Sequence, residues 1–172
     1  YRLRDHNAKL LISHQERDEG SLYYNRTMEY AQLLGVEVIV RPDIIGPERG
    51  ITSEGKKRYS LWDCYLNADF ITYPSLYEGF GNAFLEAIWF RKPILVNRYS
   101  IFEQDIEPVD FDVITMDSYI TDDTVAAVQV LLDTPEAVQL MAMKNFELGK
   151  RFFSFPLLEQ RIKQVLMNFG QV

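Results

Sequence analysis

Short apolar runs alternate with longer stretches of helical periodicity along this chain, and that alternation restricts its fold more than any other feature. Residues 9–13, 36–40, 69–73 and 94–97 read as strands, and residues 112–115 as a fifth. Residues 21–34 read as a helix, with Leu22, Met28, Ala31 and Leu34 near helical spacing and Gly35 as its stop. Further helices are expected at 59–66, 81–90, 121–132, 135–150 and 156–169. Between them, Pro42, Gly46, Pro47, Gly50 and Gly55 mark a long loop. Strands apolar throughout, separated by helices, argue for an α/β class with a parallel sheet covered by helices on both faces. In such sheets ligands sit beyond the carboxyl ends of the strands. The loops after Ser13, Val40, Tyr73 and Asn97 are therefore expected to share one rim.

The chain's 172 residues suit one compact domain. A net charge of -7 repels phosphate backbones, which argues against nucleic acid as a partner but not against one nucleotide held by local donors. One cysteine, Cys64, lies in an apolar stretch and reads as a small buried hydrophobe, with no disulfide framework or zinc cluster to join. Such composition fits a reducing cytoplasm. No apolar run approaches the roughly 20 residues that cross a bilayer, and no signal peptide opens the chain. Tyr1 stands where a natural start would have Met, so the chain reads as a piece of a longer one.

Residues 73–90 carry the chemistry. They run from a strand end through a turn into a helix, and Gly79 and Gly81 bracket the helix start. Glycine permits positive φ and lets a ligand approach the backbone. Free amides at a helix N-terminus attract phosphate. Ala83, Phe84, Leu85, Ala87, Ile88, Trp89 and Phe90 make the helix apolar around most of its surface, which predicts burial. Only Asn82 and Glu86 are polar, and four residues apart they share a face. A buried carboxylate needs a partner, and no Lys or Arg stands near it in the helix. Two readings stand on the residues alone. Glu86 bonds a backbone group or a tyrosine hydroxyl in the core, and Glu78 is a solvated turn residue. Otherwise Glu86 meets ribose hydroxyls, a diphosphate rests on the amides at 81–83, and Glu78 reaches a sugar, since four helical residues span about 6 Å.

The sequence Glu78-Gly-Phe-Gly-Asn-Ala-Phe-Leu-Glu86 resembles the Glu-x7-Glu motif of glycosyltransferase family 4. Residues 66–75, residues 92–96 (Lys-Pro-Ile-Leu-Val) and residues 153–155 (Phe-Ser-Phe) resemble the segments before and after that motif. The resemblance implies a Rossmann-like parallel sheet, the C-terminal half of a GT-B glycosyltransferase. It implies that Glu78 contacts the donor sugar as the catalytic glutamate and that Glu86 binds the ribose. Gly79, Phe80, Gly81, Asn82 and Ala83 then supply backbone contacts to sugar and phosphates. The implied reaction is hexosyl transfer, with retention, from a nucleotide diphosphate sugar to a carbohydrate-type acceptor. No metal and no cofactor besides the donor is expected. Spacing of about 5–5.5 Å between two carboxylates would suit a retaining glycosidase instead, but a carboxylate in an apolar helix beside a phosphate-type site favours ribose. The family's diphosphate-binding Arg and Lys, its first strand here and its N-terminal acceptor domain are expected outside residues 1–172. The alternatives are a non-catalytic nucleotide-sugar-binding module and a nucleotide-sugar epimerase of the same architecture.

Smaller signals are bland. Asp110-Phe111-Asp112 spells a metal-binding Asp-x-Asp pattern, yet the two aspartates read as flanking a strand. Arg17 is a weak phosphate candidate, and His6 and His14 read as structural. Lys56 and Lys57 are read as capping a loop, and Tyr23, Tyr24 and Tyr30 as packing. The loop 99–103 follows the fourth strand on the expected rim and is given no role.

Overall fold

The computed structural model describes residues 3, 7–13 and 21–169. Arg17, His6 and His14 lie outside the described residues. The expected α/β arrangement is present, with parallel strands alternating with helices. The chain forms two compact units, Tyr1–Asn67 and Ala68–Val172.

In the first unit, strands β1 (Leu10–Ile12) and β2 (Val38–Val40) pair in parallel, with Leu10 opposite Val38. Helix α1 (Ser21–Leu34) joins them. It ends at Gly35, whose φ of 66° lets its amide reach Gln32 O while the Val36 amide reaches Ala31 O. Those two bonds satisfy carbonyls that a helix end leaves open. The packing expected of Tyr30 is not observed; it is exposed on α1.

The loop expected over residues 42–55 carries strands instead. β3 (Ile45–Gly46) pairs in parallel and β4 (Gly50–Ile51) antiparallel with β5 (Lys57–Ser60). Two-residue strands leave no alternation to read, and their turn formers hide them. β5 also claims Tyr59, so helix α2 (Leu61–Asn67) starts later than its apolar pattern proposes. Its start is a reciprocal cap. The Ser60 amide and hydroxyl both donate to Asp63, whose own amide meets the Ser60 hydroxyl. Arg49 adds a guanidinium fork, and together these hold the Asp63 carboxyl well below the usual carboxylate range. Lys56 pairs with Glu54, and Lys57 lies over the Tyr59 ring. Cys64 is half-buried rather than buried, its thiol raised by desolvation.

The second unit holds the parallel sheet β6 (Ile71–Tyr73), β7 (Ile94–Asn97) and β8 (Ile114–Met116), with β7 central. Helix α3 (Asn82–Trp89) links β6 to β7. A π-helical turn (Phe102–Ile106) and a 3-10 turn (Glu107–Val109) link β7 to β8. Helices α4 (Asp122–Asp133), α5 (Pro135–Phe153) and α6 (Phe155–Phe169) follow. Thr121 and Thr124 cap α4 reciprocally, and Pro135 opens α5 where its missing amide costs nothing. All four residues of β7 are buried, as a central strand requires. Phe84, Phe102, Ile106, Val96 and Ile94 fill the core around it. Phe84 meets Phe102 and Phe111 edge-on, with centroids 5.7 and 5.2 Å apart. α5 packs on α3, and at Gly149 a Cβ would stand 3.0 Å from Ile88 Cγ2.

Two buried amides fasten this unit. Asn145 on α5 accepts from the Asp112 amide at 2.8 Å and donates to the Asp112 carbonyl at 2.6 Å, as a strand partner would. Asn97 ends β7. Its Nδ2 donates to Ser75 O at 3.0 Å, and its Oδ1 accepts from the Ser118 amide at 2.7 Å. One side chain thus ties the loop after β6 to the turn after β8. The loops after Tyr73 and Asn97 share this edge as expected, whereas Val40 ends a strand of the first unit and the loop after Ser13 lies outside the described residues. Asn97→Ala is expected to cost about 1–3 kcal/mol, because it removes two part-buried hydrogen bonds made by a buried side chain. Urea unfolding measures it; a loss under about 0.5 kcal/mol would show that water replaces both bonds.

Candidate functional site

The segment singled out by sequence lies where β6 hands over to α3. Its decisive residue is Gly81, the residue before the helix, at φ 89° and ψ 63°. Side chains avoid that conformation, and here space forbids them too. A Cβ on Gly81 would stand 2.1 Å from Tyr99 Oη and 3.3 Å from Tyr73 Cε1. Gly79 differs from the expectation: its φ is not positive and nothing crowds it within 4 Å.

Glycine also supplies no side-chain cap. The Phe84 amide returns to Gly81 O at 3.0 Å, as the first helical bond. The amides of Gly81, Asn82 and Ala83 have no hydrogen-bond partner among the described residues. Helix starts leave such donors, and the helix dipole concentrates positive potential there. The carbonyl of Phe80 is already taken, by the Tyr99 hydroxyl at 2.9 Å. The Phe80 ring packs on Phe153, with centroids 5.5 Å apart.

The expectation that Glu86 is buried does not hold. Phe84, Ala87 and Ile88 face the core, whereas Asn82 is exposed and Glu86 half-buried. Trp89 is exposed as well and lies beside Phe146. The helix is therefore two-faced, and Glu86 avoids the cost of full burial because its face opens to water. No side chain pairs with its carboxylate among the described residues. Asn82 and Glu86 do share a face one turn apart, as their spacing predicts.

Glu78, also half-buried, sits among phenols. Burial first, and then the Glu78 carboxylate bonded to it, hold the Tyr73 phenol well above its ordinary range. Tyr99 is pushed up to about 12 by burial and by the charge of Glu78. The two rings meet edge-on at 6.2 Å. Sequence reasoning gave no role to Tyr73, Tyr99 or Asn97. The available signals were polar groups at the ends of two apolar strands.

Asp110 and Asp112 are ion-paired with one cation, Lys144 Nζ, at 3.2 and 2.9 Å. That pairing supplies a structural account of the Asp-x-Asp pattern. Arg98, just past β7, makes a fork with Glu107 and reaches Asp117.

No protein-family model matches the chain. Two curated relatives do, both named mannosylglucosylglycerate synthase. The protein from Petrotoga mobilis is 35% identical over 81% of this chain. That from Thermotoga maritima is 32% identical over 87%. The chain spans 35% and 36% of their lengths, about a third. Among solved structures, sucrose-phosphate synthase from Thermosynechococcus elongatus superposes with a TM-score of 0.69 at 16% identity, over 95% of this chain and 39% of that one. Anabaena HepE in complex with UDP gives 0.64 at 16% identity, over 89% and 38%. Its complex with UDP-glucose gives 0.64 at 15%, over 88% and 38%. The expected fold is thus observed: parallel sheets and helices similar to those of GT-B glycosyltransferases.

Gly81→Ala is expected to destabilise the fold by at least about 1–3 kcal/mol, since backbone strain and the Tyr99 collision act together. Thermal unfolding reads the loss; an unchanged midpoint would mean that the turn rearranges freely. The raised phenols also fix a pH dependence. Folding favours the protonated phenol, so stability is unaffected below the ordinary tyrosine value and falls as pH climbs from about 10 to about 12. Tyr99→Phe should flatten that fall in urea midpoints taken between those limits. A slope parallel to wild type would mean that Tyr99 titrates normally.

Proposed function

We propose that this chain is the donor-binding part of a glycosyltransferase, and that it holds a nucleotide diphosphate sugar at the start of α3. One observation carries the reading: three unpartnered amides at a helix N-terminus stand between two half-buried carboxylates, Glu78 before them and Glu86 one turn beyond. Anion, sugar hydroxyls and ribose hydroxyls ask for that order of acceptors and donors. The diphosphate lies on the amides of Gly81, Asn82 and Ala83, with Gly79 and Phe80 lending backbone. Glu86 accepts from the ribose, and Glu78 accepts from the transferred sugar.

The chemistry then needs no nucleophile from this chain. As the sugar departs, negative charge grows on the leaving diphosphate. Fixed amide dipoles stabilise that charge more than the ground state, which is what accelerates a reaction. We assign the reaction to hexosyl transfer with retention, in glycosyltransferase family 4, to a carbohydrate-type acceptor held by an N-terminal domain of the same polypeptide. No metal or further cofactor enters it, and a cytoplasmic setting suits a nucleotide-sugar donor. The names of the curated relatives favour transfer over a non-catalytic binding module or an epimerase, and they point to a small glycerate-bearing glycoside as the product.

Calorimetric titration with UDP, GDP and ADP, and then with their sugar conjugates, tests the site. One nucleotide should bind saturably. Glu86→Ala should weaken it by about 10- to 100-fold, as expected for hydrogen bonds to a charged group. In the enzyme supplied with its acceptor domain, Glu78→Ala should reduce transfer by at least tenfold and leave nucleotide affinity within about threefold. Unchanged nucleotide affinity in Glu86→Ala would sink the assignment to ribose.

A further inference from the structure

We propose that Tyr99 is a positioning residue for the donor's phosphates, acting through the peptide between Phe80 and Gly81. This inference rests on the reading above.

Tyr99 is 2% exposed, so it acts on a ligand only through what it holds. What it holds is the Phe80 carbonyl, at 2.9 Å from its hydroxyl. In a trans peptide the carbonyl and the following amide point in opposite directions. A Phe80 carbonyl turned toward a buried phenol therefore turns the Gly81 amide away from it. The opposite orientation would aim a carbonyl oxygen where a phosphate must approach. Glycine makes that rotation cheap, because both signs of φ are open to it. The glycine that the turn demands thus brings an ambiguity, and the hydroxyl resolves it.

The ring is placed to do this. It meets Tyr73 edge-on at 6.2 Å and Phe102 at 5.9 Å, which fixes it from two sides. Its backbone is anchored as well, since the Tyr99 amide donates to Asn97 O and its carbonyl accepts from the Glu103 amide. Burial keeps the phenol protonated through the physiological range, so the donor is always present.

The test is an NMR titration of the full chain and of Tyr99→Phe. The probes are the nucleoside diphosphate that binds best among UDP, GDP and ADP, and its parent nucleoside. The variant keeps the ring and loses only the hydroxyl. Diphosphate affinity should fall about 5- to 20-fold, while nucleoside affinity stays within about twofold. In the wild type the Gly81 amide resonance should move on adding the diphosphate and stay in place with the nucleoside. That second measurement needs no variant, so a misfolded Tyr99→Phe does not spare the idea. Equal losses for both probes or no loss for either would overturn the role of Tyr99 and leave the donor site standing, whereas a Gly81 resonance unmoved by bound diphosphate would overturn both that role and the placement of the phosphates on the Gly81 amide. A wild type that binds none of the three nucleotides overturns the donor site and this inference together.

Discussion

The left-handed turn at Gly81 governs the rest of the second unit's functional edge. It lets the chain leave a strand and enter a helix within a few residues, with the first amides uncapped. A serine or aspartate before α3 would satisfy one of those amides and start the helix more stably. The chain forgoes that gain. It packs a tyrosine hydroxyl into the space a Cβ would fill, so the position is closed to other residues by contact as well as by torsion. A helix start left open, and locked open, presents donors without reorganisation.

Buried amide side chains hold that edge in place. Asn97 and Asn145 are both almost fully buried, and each spends its donor and acceptor on backbone of another segment. Apolar residues there would pack, but would leave four backbone groups without these partners, at a net loss of about 0.5–1.5 kcal/mol for each bond. Asn97 matters most for the site. The strand it ends is buried at all four residues, so a core element sets the position of Ser75, three residues before Glu78.

Much of this was legible in the sequence. β7 and α1 match their apolar patterns to the residue, and α3 within one residue at each end. Those elements obey local rules of period, cap and glycine stop. The two-residue strands β3 and β4 were not legible, because pairing with β5 defines them and no local pattern does. Glu86 was misjudged for a related reason. A run of apolar residues says that a helix is buried, but Trp89 and Asn82 face outward and open the face that Glu86 shares with Asn82. Tyr99 stands some twenty residues from the glycine it guards, and only the parallel order of β6 and β7 brings them together. Contacts of that kind carry no spacing that a single sequence reveals.

The proposed anion site, set on an acidic chain, poses an electrostatic question, which the site's composition answers. The net charge of -7 is spread over the molecule, and salt damps charges beyond about 8 Å. Amide donors act at contact, where screening is weak, so three well-aimed ones outweigh distant carboxylates. Glu78 is the near exception, because its charge is felt at both Tyr73 and Tyr99. That charge opposes an incoming phosphate. It also opposes ionisation of the two phenols, in the same direction as their burial. A phenolate at either position would add a second negative charge beside the amides, and at Tyr99 it would release the Phe80 carbonyl. The carboxylate that makes the edge less hospitable to anions is thus one of the two reasons its neighbours remain neutral donors.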